Sequence, residues 1–211
     1  DWFGNPTNYE YDRLGRPVRT IYPEILHPDG YLYRPFDSAG YDIAGNKISK
    51  TDPLGRTVNT SYNLRGQPLT ICYADRTQEA NFYSLSGLLK KNIAINGTVT
   101  DFEHDYLGRI TKTIISGSGG QSVTQTLYNH FHKLQEIDAK GEVTAYQYDH
   151  AGRLKVISKG SAKTVYEYDS CSRIAKTLEY FGPGEKDYLV KAQEYDHLNH
   201  VIEERQEDAQ G

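Results

Sequence analysis

The sequence contains no methionine, one tryptophan, two cysteines and no long apolar run. A membrane helix needs about 20 consecutive apolar residues, so we expect no membrane insertion by this segment. The cysteines Cys72 and Cys171 leave a single disulfide open as an alternative, and two cysteines say little about the cellular compartment. The start, DWFGNPTNY, lacks both an initiator methionine and a signal-peptide pattern. We therefore interpret residues 1–211 as one segment of a longer protein.

The chain also lacks an excess of charge of one sign. It has 24 basic and 28 acidic residues, for a formal net charge of -4, which predicts no binding to nucleic acid or to an anionic membrane. Mean hydropathy is low at -0.70. Disorder is still not expected, because the 18 tyrosines alternate with threonine, valine and isoleucine, which favour strands.

What the chain does contain is a repeat. Residues 146–158 read YQYDHAGRLKVIS, and YEYDSCSRIAKTL follows twenty positions later. A tyrosine before an aspartate, or a residue in its place, marks each of nine units: Tyr11, Tyr41, Tyr62, Tyr83, His104, Tyr128, Tyr148, Tyr168 and Tyr195. The basic period is 20 or 21 residues, with insertions of a few residues. Self-similarity at a fixed period of this size is typical of repeat architectures.

Each unit predicts two strands. Before the aspartate, Thr144, Tyr146 and Tyr148 fall on one face of an alternating segment, which is the period of a strand. The D-x-x-G that follows predicts a turn, because the aspartate accepts backbone N–H bonds and glycine tolerates positive φ. The pattern is complete at Asp12 with Gly15, Asp42 with Gly45, Asp105 with Gly108, and Asp149 with Gly152.

Some units depart from the glycine of this turn. Asn199 is compatible with a left-handed conformation, whereas His132 and Ser172 at the glycine place would be costlier. A second turn about ten residues later is predicted at Asp52–Gly55, Asn96–Gly97, Asp138–Gly141 and Lys159–Gly160, with insertions at Ser116–Gly120 and Phe181–Gly184.

The predicted fold class is all-β: a single repeat segment of nine antiparallel hairpins, with strands of about six or seven residues. Open sheets rarely exceed about ten strands without curling, so we expect a curved, spiralling sheet that forms part of a hollow shell. The arginines after the turn, at positions 16, 56, 109, 153 and 173, are expected to stack on or bond to neighbouring turns. We assign a structural role in the repeat to Tyr11, Asp12, Gly15, Arg16, Tyr41, Asp42, Gly45, Asp105, Gly108, Arg109, Tyr148, Asp149, Gly152, Arg153, Tyr168, Asp169 and Arg173.

The motif Y-x-Y-D-x-x-G-R-[LI] at a period of about 20, with D-P-L-G-R at residues 52–56, closely resembles the YD repeats of the Rhs proteins. The same repeats occur in the B and C components of bacterial toxin complexes and in teneurins. The resemblance implies a secreted or cell-surface shell that encloses a C-terminal effector polypeptide. It implies as partners the rest of the shell and that effector. Neither a protease-like core segment nor a toxin domain matches any part of this chain.

Three other functions stay open at this point. A teneurin-like adhesion scaffold would use the same shell. A carbohydrate-binding or choline-binding hairpin module would cage its ligand with aromatic rings, but such modules carry a tryptophan in each unit and this chain has only Trp2. An enzyme or metal site would use His130 and His132 with Asp138, or His197 and His200 with Asp196, but neither set supplies a clear third ligand. We therefore predict no catalysis, no cofactor and no metal.

A sheet cut from a longer spiral presents unpaired edge strands, which are templates for pairing with another copy. We therefore expect self-association of this segment through its edges.

Overall fold

The computed structural model describes residues 6–182 and 188–208, and within these ranges every regular element is a β-strand. The chain divides into two compact units. The first contains the residues up to Phe102 together with Ile115–Gly120, and the second contains Glu103–Ile114 and the residues from Gln121 onward. The predicted all-β fold built of antiparallel hairpins is confirmed.

The strands follow one another along the chain with short connections. The first ten are β1 Asn8–Tyr11, β2 Pro17–Ile21, β3 Ile25–Leu26, β4 Leu32–Tyr33, β5 Phe36–Tyr41, β6 Lys47–Thr51, β7 Thr57–Tyr62, β8 Pro68–Cys72, β9 Gln78–Tyr83 and β10 Leu89–Ile93. The other ten are β11 Val99–His104, β12 Ile110–Gly117, β13 Gly120–Tyr128, β14 Lys133–Ile137, β15 Val143–Tyr148, β16 Leu154–Lys159, β17 Ala162–Tyr168, β18 Ile174–Tyr180, β19 Tyr188–Tyr195 and β20 Val201–Asp208.

Each of the nine sequence markers is the last residue of a strand and precedes the hairpin turn to the next one. The predicted strand length of six or seven residues is too long for much of the array. In the unit that begins at Thr57, β7 has six residues and β8 has five. The connections 63–67 and 73–77 take the remaining residues of the period, and these five-residue loops are what shorten the strands.

A β-bulge lies beside the marker tyrosine in the hairpins. In the β15–β16 hairpin, Gln147 pairs with Val156 but Tyr148 pairs with Leu154, so Lys155 is the extra residue. The same one-residue shift occurs beside Tyr11, Tyr41, Tyr62, Tyr128, Tyr168 and Tyr195. A bulge bends its strand and increases the local twist, so this distortion recurs with the period of the repeat.

Among the described residues of each compact unit, the strands contact only their hydrogen-bonded neighbours. In the described part of the chain, only Val156 and Val190 are buried hydrophobic residues, with 8% and 9% of their surface exposed. A two-layer sandwich would cover one face of its sheet with the other and bury many more side chains. Each unit is therefore a single layer, held by ladder hydrogen bonds and contacts between neighbouring strands.

One hairpin was not predicted from the sequence. Strands β3 and β4 pair in the long interval between the first two markers, with Ile25 opposite Tyr33. Its turn is closed by the Tyr31 carbonyl, which accepts the His27 N–H at 2.7 Å, and Gly30 has φ of 88°. The sequence Pro28-Asp29-Gly30 favours a turn, because proline fixes φ, aspartate bonds to nearby backbone N–H groups and glycine tolerates positive φ. This hairpin could therefore have been predicted.

Candidate functional site

The repeated turn is built around the aspartate that follows the marker tyrosine. In the turn after β15, the Asp149 N–H donates to the Arg153 carbonyl at 2.9 Å, and the Gly152 N–H donates to the Asp149 carbonyl at 3.0 Å. Asp149 Oδ1 accepts the N–H groups of Ala151 and Arg153, both at 2.9 Å. Its other oxygen, Oδ2, accepts Arg153 Nε at 2.7 Å. One carboxylate thus closes the turn and fixes the arginine.

The same carboxylate contacts recur at Asp12, Asp105 and Asp169, and also at Asp52 in the D-P-L-G-R turn. The backbone N–H of Arg153 is the largest cause that holds the pKa of Asp149 below its ordinary value, and burial opposes it. The backbone N–H of Arg173 lowers the pKa of Asp169 in the same way. These aspartates are therefore charged in the folded turn, because hydrogen bonds to the charged form favour it.

The arginine that the turn fixes reaches the next hairpin. The guanidinium carbon of Arg153 lies 4.4 Å from the centroid of the Tyr168 ring. Tyr168 Oη donates to the Leu154 carbonyl at 2.6 Å, and Arg153 Nη1 donates to Ser172 Oγ at 3.0 Å. We call this set of contacts the clasp. In a clasp, the ring of a marker tyrosine lies under the turn arginine of the preceding hairpin. The tyrosine hydroxyl donates to the backbone carbonyl of the residue that follows that arginine.

The hydroxyl bond is the most regular part of the clasp. In each case a marker tyrosine donates to a carbonyl oxygen in the preceding hairpin, at 2.6 to 3.1 Å. The six pairs are Tyr41 to Pro17, Tyr62 to Lys47, Tyr83 to Pro68, Tyr148 to Lys133, Tyr168 to Leu154, and Tyr195 to Ile174. Phenylalanine cannot make this bond, which gives a reason for the 18 tyrosines against 6 phenylalanines.

The arginine part of the clasp occurs at four joins. Guanidinium carbons lie 4.3 to 4.7 Å from the ring centroids for Arg16 over Tyr41, Arg109 over Tyr128, Arg153 over Tyr168 and Arg173 over Tyr195. Arginine over a tyrosine face is a favourable cation–π geometry. Three of these arginines also donate to the backbone of the next turn, at the carbonyls of Asp42, Asn129 and Asp196. The arginine thus bonds within its own turn and across to the next.

His132 corrects one sequence alignment. The repeat pattern predicts His132 at the place of the turn glycine. The turn after β13 is one residue shorter than the other marker turns, since the Asn129 N–H donates to the His132 carbonyl, three residues on. His132 therefore needs no positive φ and stands in the arginine place instead. Its ring stacks on Tyr148, with centroids 4.2 Å apart and an angle of 27° between the ring planes. An imidazole here replaces the guanidinium of the other clasps.

The two other departures do adopt the left-handed conformation. Ser172 has φ of 65° and Asn199 has φ of 68°. Each also contacts the arginine of a preceding hairpin, since Ser172 Oγ accepts Arg153 Nη1 and Asn199 Oδ1 accepts Arg173 Nη1, both at 3.0 Å. A side chain at this position therefore adds a polar contact to the clasp that glycine lacks. The backbone cost of the departure is partly offset by that bond.

The histidine sets considered for metal binding do not form a ligand cluster. His130 Nδ1 bonds to Tyr106 Oη at 2.8 Å, and His132 stacks on Tyr148. His200 Nδ1 lies 3.0 Å from Asp196 Oδ2, in the place that arginine takes in other turns. Among the residues that the structure describes, no group of three or more His, Cys, Asp or Glu side chains could hold a metal ion. Both Cys72 and Cys171 are free thiols.

Arg56 differs from the other turn arginines. It bonds to Asp52 Oδ2 at 2.6 Å, but its side chain is 66% exposed and no tyrosine ring lies beneath it in the described residues. Its turn joins β6 to β7 and follows a different strand of the unit from the marker turns. The sequence grouped Arg56 with the others because the turn motif is shared. The D-x-x-G-R motif therefore predicts the turn alone. A clasp forms only where that turn follows the strand that ends in the marker tyrosine.

The clasp also argues against the alternative that the aromatic rings of the hairpins enclose a carbohydrate or choline ligand. Four marker rings have one face under an arginine of this chain, and the Tyr148 ring has His132 stacked on it. A quaternary ammonium ligand needs open aromatic faces arranged around it. Trp2, the other residue that the hypothesis considered, lies outside the described residues. The aromatic residues of the repeat thus serve contacts between hairpins.

Comparison with known proteins agrees with this reading of the repeat. The family model described as Teneurin YD-shell matches residues 95–192. No curated protein matches the chain. Within residues 6–182 and 188–208, no helix has the length and apolar character that crossing a membrane requires.

Several solved structures are similar to this chain. They include the crystal structure of TcdB2-TccC3-Cdc42, at 15% identity and a TM-score of 0.46, covering 97% of this chain and 15% of that one. TcdB2-TccC3-TEV gives 14% identity and a TM-score of 0.45, with 96% and 15% covered. The Tc holotoxin pore of Photorhabdus luminescens gives 16% identity and a TM-score of 0.34, with 96% and 15% covered. This chain thus spans about 15% of the length of those chains.

The bulged hairpins, the aspartate turns and the clasps define a repeat array in which each unit is built to hold the next. The family model described as Teneurin YD-shell matches the part of this array in residues 95–192, so that part of the chain is similar to a YD shell.

Proposed function

We propose that this chain is a section of the wall of a YD shell that encloses a C-terminal effector polypeptide for delivery, and that it carries out no catalysis. The observation that supports this most directly is the clasp. It repeats along the array and uses the residues of the motif for structural contacts: the aspartate fixes the arginine within its turn, and the arginine and tyrosine join neighbouring hairpins.

The single-layer construction supports the same proposal. In residues 6–182 and 188–208, neither compact unit has a second layer over its sheet, so both faces of the sheet are accessible and little apolar surface is buried. Tyrosine suits such a sheet, because its ring packs against neighbours while its hydroxyl finds a polar partner. A wall with a mixed polar surface would also avoid holding an enclosed polypeptide irreversibly. The partners proposed are the remaining repeats of the shell and the enclosed effector, in a secreted or cell-surface protein.

Protease protection tests the enclosure. The reading frame that contains this chain is expressed with whatever segment follows the repeats, and the product is digested under native conditions. We expect the following segment to resist cleavage, and the double variant Arg153→Ala with Tyr168→Ala to make it cleavable by opening one clasp. Tyr166→Phe, on the same strand as Tyr168 but outside the clasp, is the matched control. Equal cleavage of all three proteins would contradict enclosure.

A second candidate is the scaffold of a cell-surface adhesion protein, and the observation that favours it is the teneurin description of the matching family. The same reading frame distinguishes the two. A transmembrane helix and extracellular modules around the repeats, together with aggregation of beads coated with the protein, would support adhesion. A variable domain after the repeats that is protected from protease would support the toxin shell.

A further inference from the structure

One clasp has a histidine in the arginine place, at the join between β14 and β15. The His132 ring stacks on Tyr148 with centroids 4.2 Å apart, and the Tyr148 hydroxyl donates to the Lys133 carbonyl at 2.9 Å. At the four joins with an arginine, the group over the tyrosine ring is a guanidinium, which does not lose its proton in proteins. An imidazole changes its charge between about pH 5 and pH 8. The His132 clasp therefore differs from the arginine clasps in the pH dependence of its cation.

The histidine also occupies the space that an arginine occupies over the next turn. A Cβ atom placed on Gly152 would lie 3.3 Å from His132 Nε2, and one placed on Gly45 would lie 3.9 Å from Arg16 Nη1. Arg16 Nη1 donates there to the Asp42 carbonyl at 3.0 Å. His132 Nε2 thus faces the next turn as that guanidinium nitrogen does. Both nitrogens of a protonated imidazole carry a hydrogen, so Nε2 is then a donor toward this turn.

The charged groups around the His132 ring are paired among themselves. The ring is half-buried, and the titratable groups on its own and the adjoining elements are Lys133 and Glu136 of β14, Arg109 and Asp105 of the preceding turn, Arg153, Asp149 and His150 of the next turn, and the rings of His130, Tyr146 and Tyr148. Each of the three cations has its own carboxylate partner: Lys133 with Glu136, Arg109 with Asp105, and Arg153 with Asp149. His130 bonds to Tyr106 Oη instead. The Tyr148 ring is therefore the group that distinguishes charged from neutral His132.

We propose that the His132 clasp is a pH-sensitive join, in which protonation of His132 strengthens the contact between the β13–β14 hairpin and the β15–β16 hairpin. The protonated ring gives Tyr148 the cation that arginine gives at the other clasps, whereas the neutral ring only stacks. Because the closed join favours the protonated ring, this contribution is present at acidic pH and is lost as the pH rises toward 8. The effect is confined to one join, and it does not depend on enclosure of an effector.

Amide hydrogen exchange resolves single joins and tests the proposal. Protection of the amides that bond across β14 and β15 is compared at about pH 5.5 and about pH 8, after correction for the intrinsic exchange rates. The β16–β17 join, which has the Arg153 clasp, is the reference in the same molecule. The aspartates keep their charge in this range, because aspartate titrates near pH 4. We expect the opening equilibrium constant of the β14–β15 join to be about threefold smaller at the lower pH, which corresponds to one exposed cation–π contact, and that of the reference join to stay constant.

Two substitutions separate the charge of the ring from its stacking. His132→Arg supplies the residue of the other clasps, so the β14–β15 join should be well protected at both pH values. His132→Phe keeps a flat ring without a charge, so the join should show no gain at the lower pH. His150→Phe is the matched control, because His150 is an exposed histidine of the next turn, and this variant should keep the pH dependence of the wild type.

Several results would overturn the proposal. Equal protection of the wild-type β14–β15 join at both pH values would show that the charge of His132 does not reach the join. A pH dependence that persists in His132→Arg or His132→Phe, or that is equally large at the β16–β17 join, would assign the effect to other groups. Circular dichroism of each variant verifies that it is folded before the exchange is measured.

Discussion

At the scale of single residues, the marker tyrosine carries two contacts that come from different parts of its side chain. The ring lies beneath an arginine or histidine, and the hydroxyl reaches a backbone carbonyl of the preceding hairpin. Tyr62 and Tyr83 keep the hydroxyl bond although Asn46 and Gln67 stand in the arginine place before them. The hydroxyl bond is therefore the more general of the two contacts.

Tyr168→Phe isolates that bond. It removes the hydroxyl that donates to the Leu154 carbonyl at 2.6 Å and leaves the ring under Arg153. Burial raises the pKa of Tyr168, so the wild-type side chain is a neutral donor at pH 7. We expect the free energy of unfolding to fall by about 1 kcal/mol, the usual net contribution of one hydrogen bond. Urea denaturation followed by circular dichroism measures the change.

The control for this variant is Tyr166→Phe. Tyr166 is partly buried on the same strand and is not a marker tyrosine, so the loss of its hydroxyl should change stability much less. An equal loss in both variants would mean that the effect comes from tyrosine on this strand in general and not from the clasp.

The residues of the clasp could be predicted from the sequence only in part. The aspartate turn follows from local chemistry, because all its partners lie within four residues. The carbonyl that accepts the Tyr168 hydroxyl is 14 positions away and belongs to another hairpin, so it depends on the register between strands. The role of His132 was hidden for a related reason: a shortened turn shifts it from the glycine place to the arginine place.

At the scale of the hairpin, each turn has one residue in the left-handed conformation, and the identity of that residue sets the backbone free energy cost of the turn. Most turns place glycine there, with φ of 80° at Gly152, for example. Arg76 holds the same place in the turn between β8 and β9 with φ of 69°. Its N–H donates to the Tyr73 carbonyl at 3.0 Å, so the turn has the usual hydrogen bond in spite of the side chain. An arginine in this conformation costs free energy that glycine would not.

Arg76→Gly should therefore stabilise the protein, by about 1 kcal/mol, because it removes the left-handed penalty of a residue with a Cβ atom. Arg65→Gly, which is also an arginine-to-glycine substitution, should have the opposite effect on stability. Arg65 is an exposed turn residue without positive φ, so glycine there should destabilise by about 0.5–1 kcal/mol through the added freedom of the unfolded chain. Thermal unfolding of both variants measures the two signs. Loss of stability in both would contradict the argument.

The hairpins show which turns a sequence can predict. Asp-x-x-Gly turns were found because aspartate and glycine both have positional requirements. The Asn96-Gly97 pair predicted a hairpin in the right place, but it forms the second half of a four-residue turn that the Ala94 N–H closes on the Thr98 carbonyl. The turn that contains Arg76 gave no glycine signal and was missed. Turn chemistry thus predicts position well and turn length less well.

At the scale of the whole molecule, each described strand contacts only its ladder neighbours within its unit, so stability should behave as a sum of hairpin and join contributions. The aspartate turns contribute to this sum in the same direction. The pKa values of Asp12, Asp42, Asp105, Asp149, Asp169 and Asp196 are all lowered in the folded chain. A folded state with lowered aspartate pKa values binds fewer protons than the unfolded state, so its stability rises with pH.

Stability should therefore be nearly constant above about pH 5 and fall as the pH drops below about 4, the ordinary range of aspartate. Because the turns repeat, the fall should be steeper than one aspartate can produce. Asp149→Asn is the test at a single turn: it keeps an oxygen that can accept the N–H bonds, as Asn63 does in its own turn, but it does not titrate. Urea midpoints at several pH values should show lower stability at pH 7 and a shallower acid slope for this variant. A slope equal to that of the wild type would mean that acid acts elsewhere in the array.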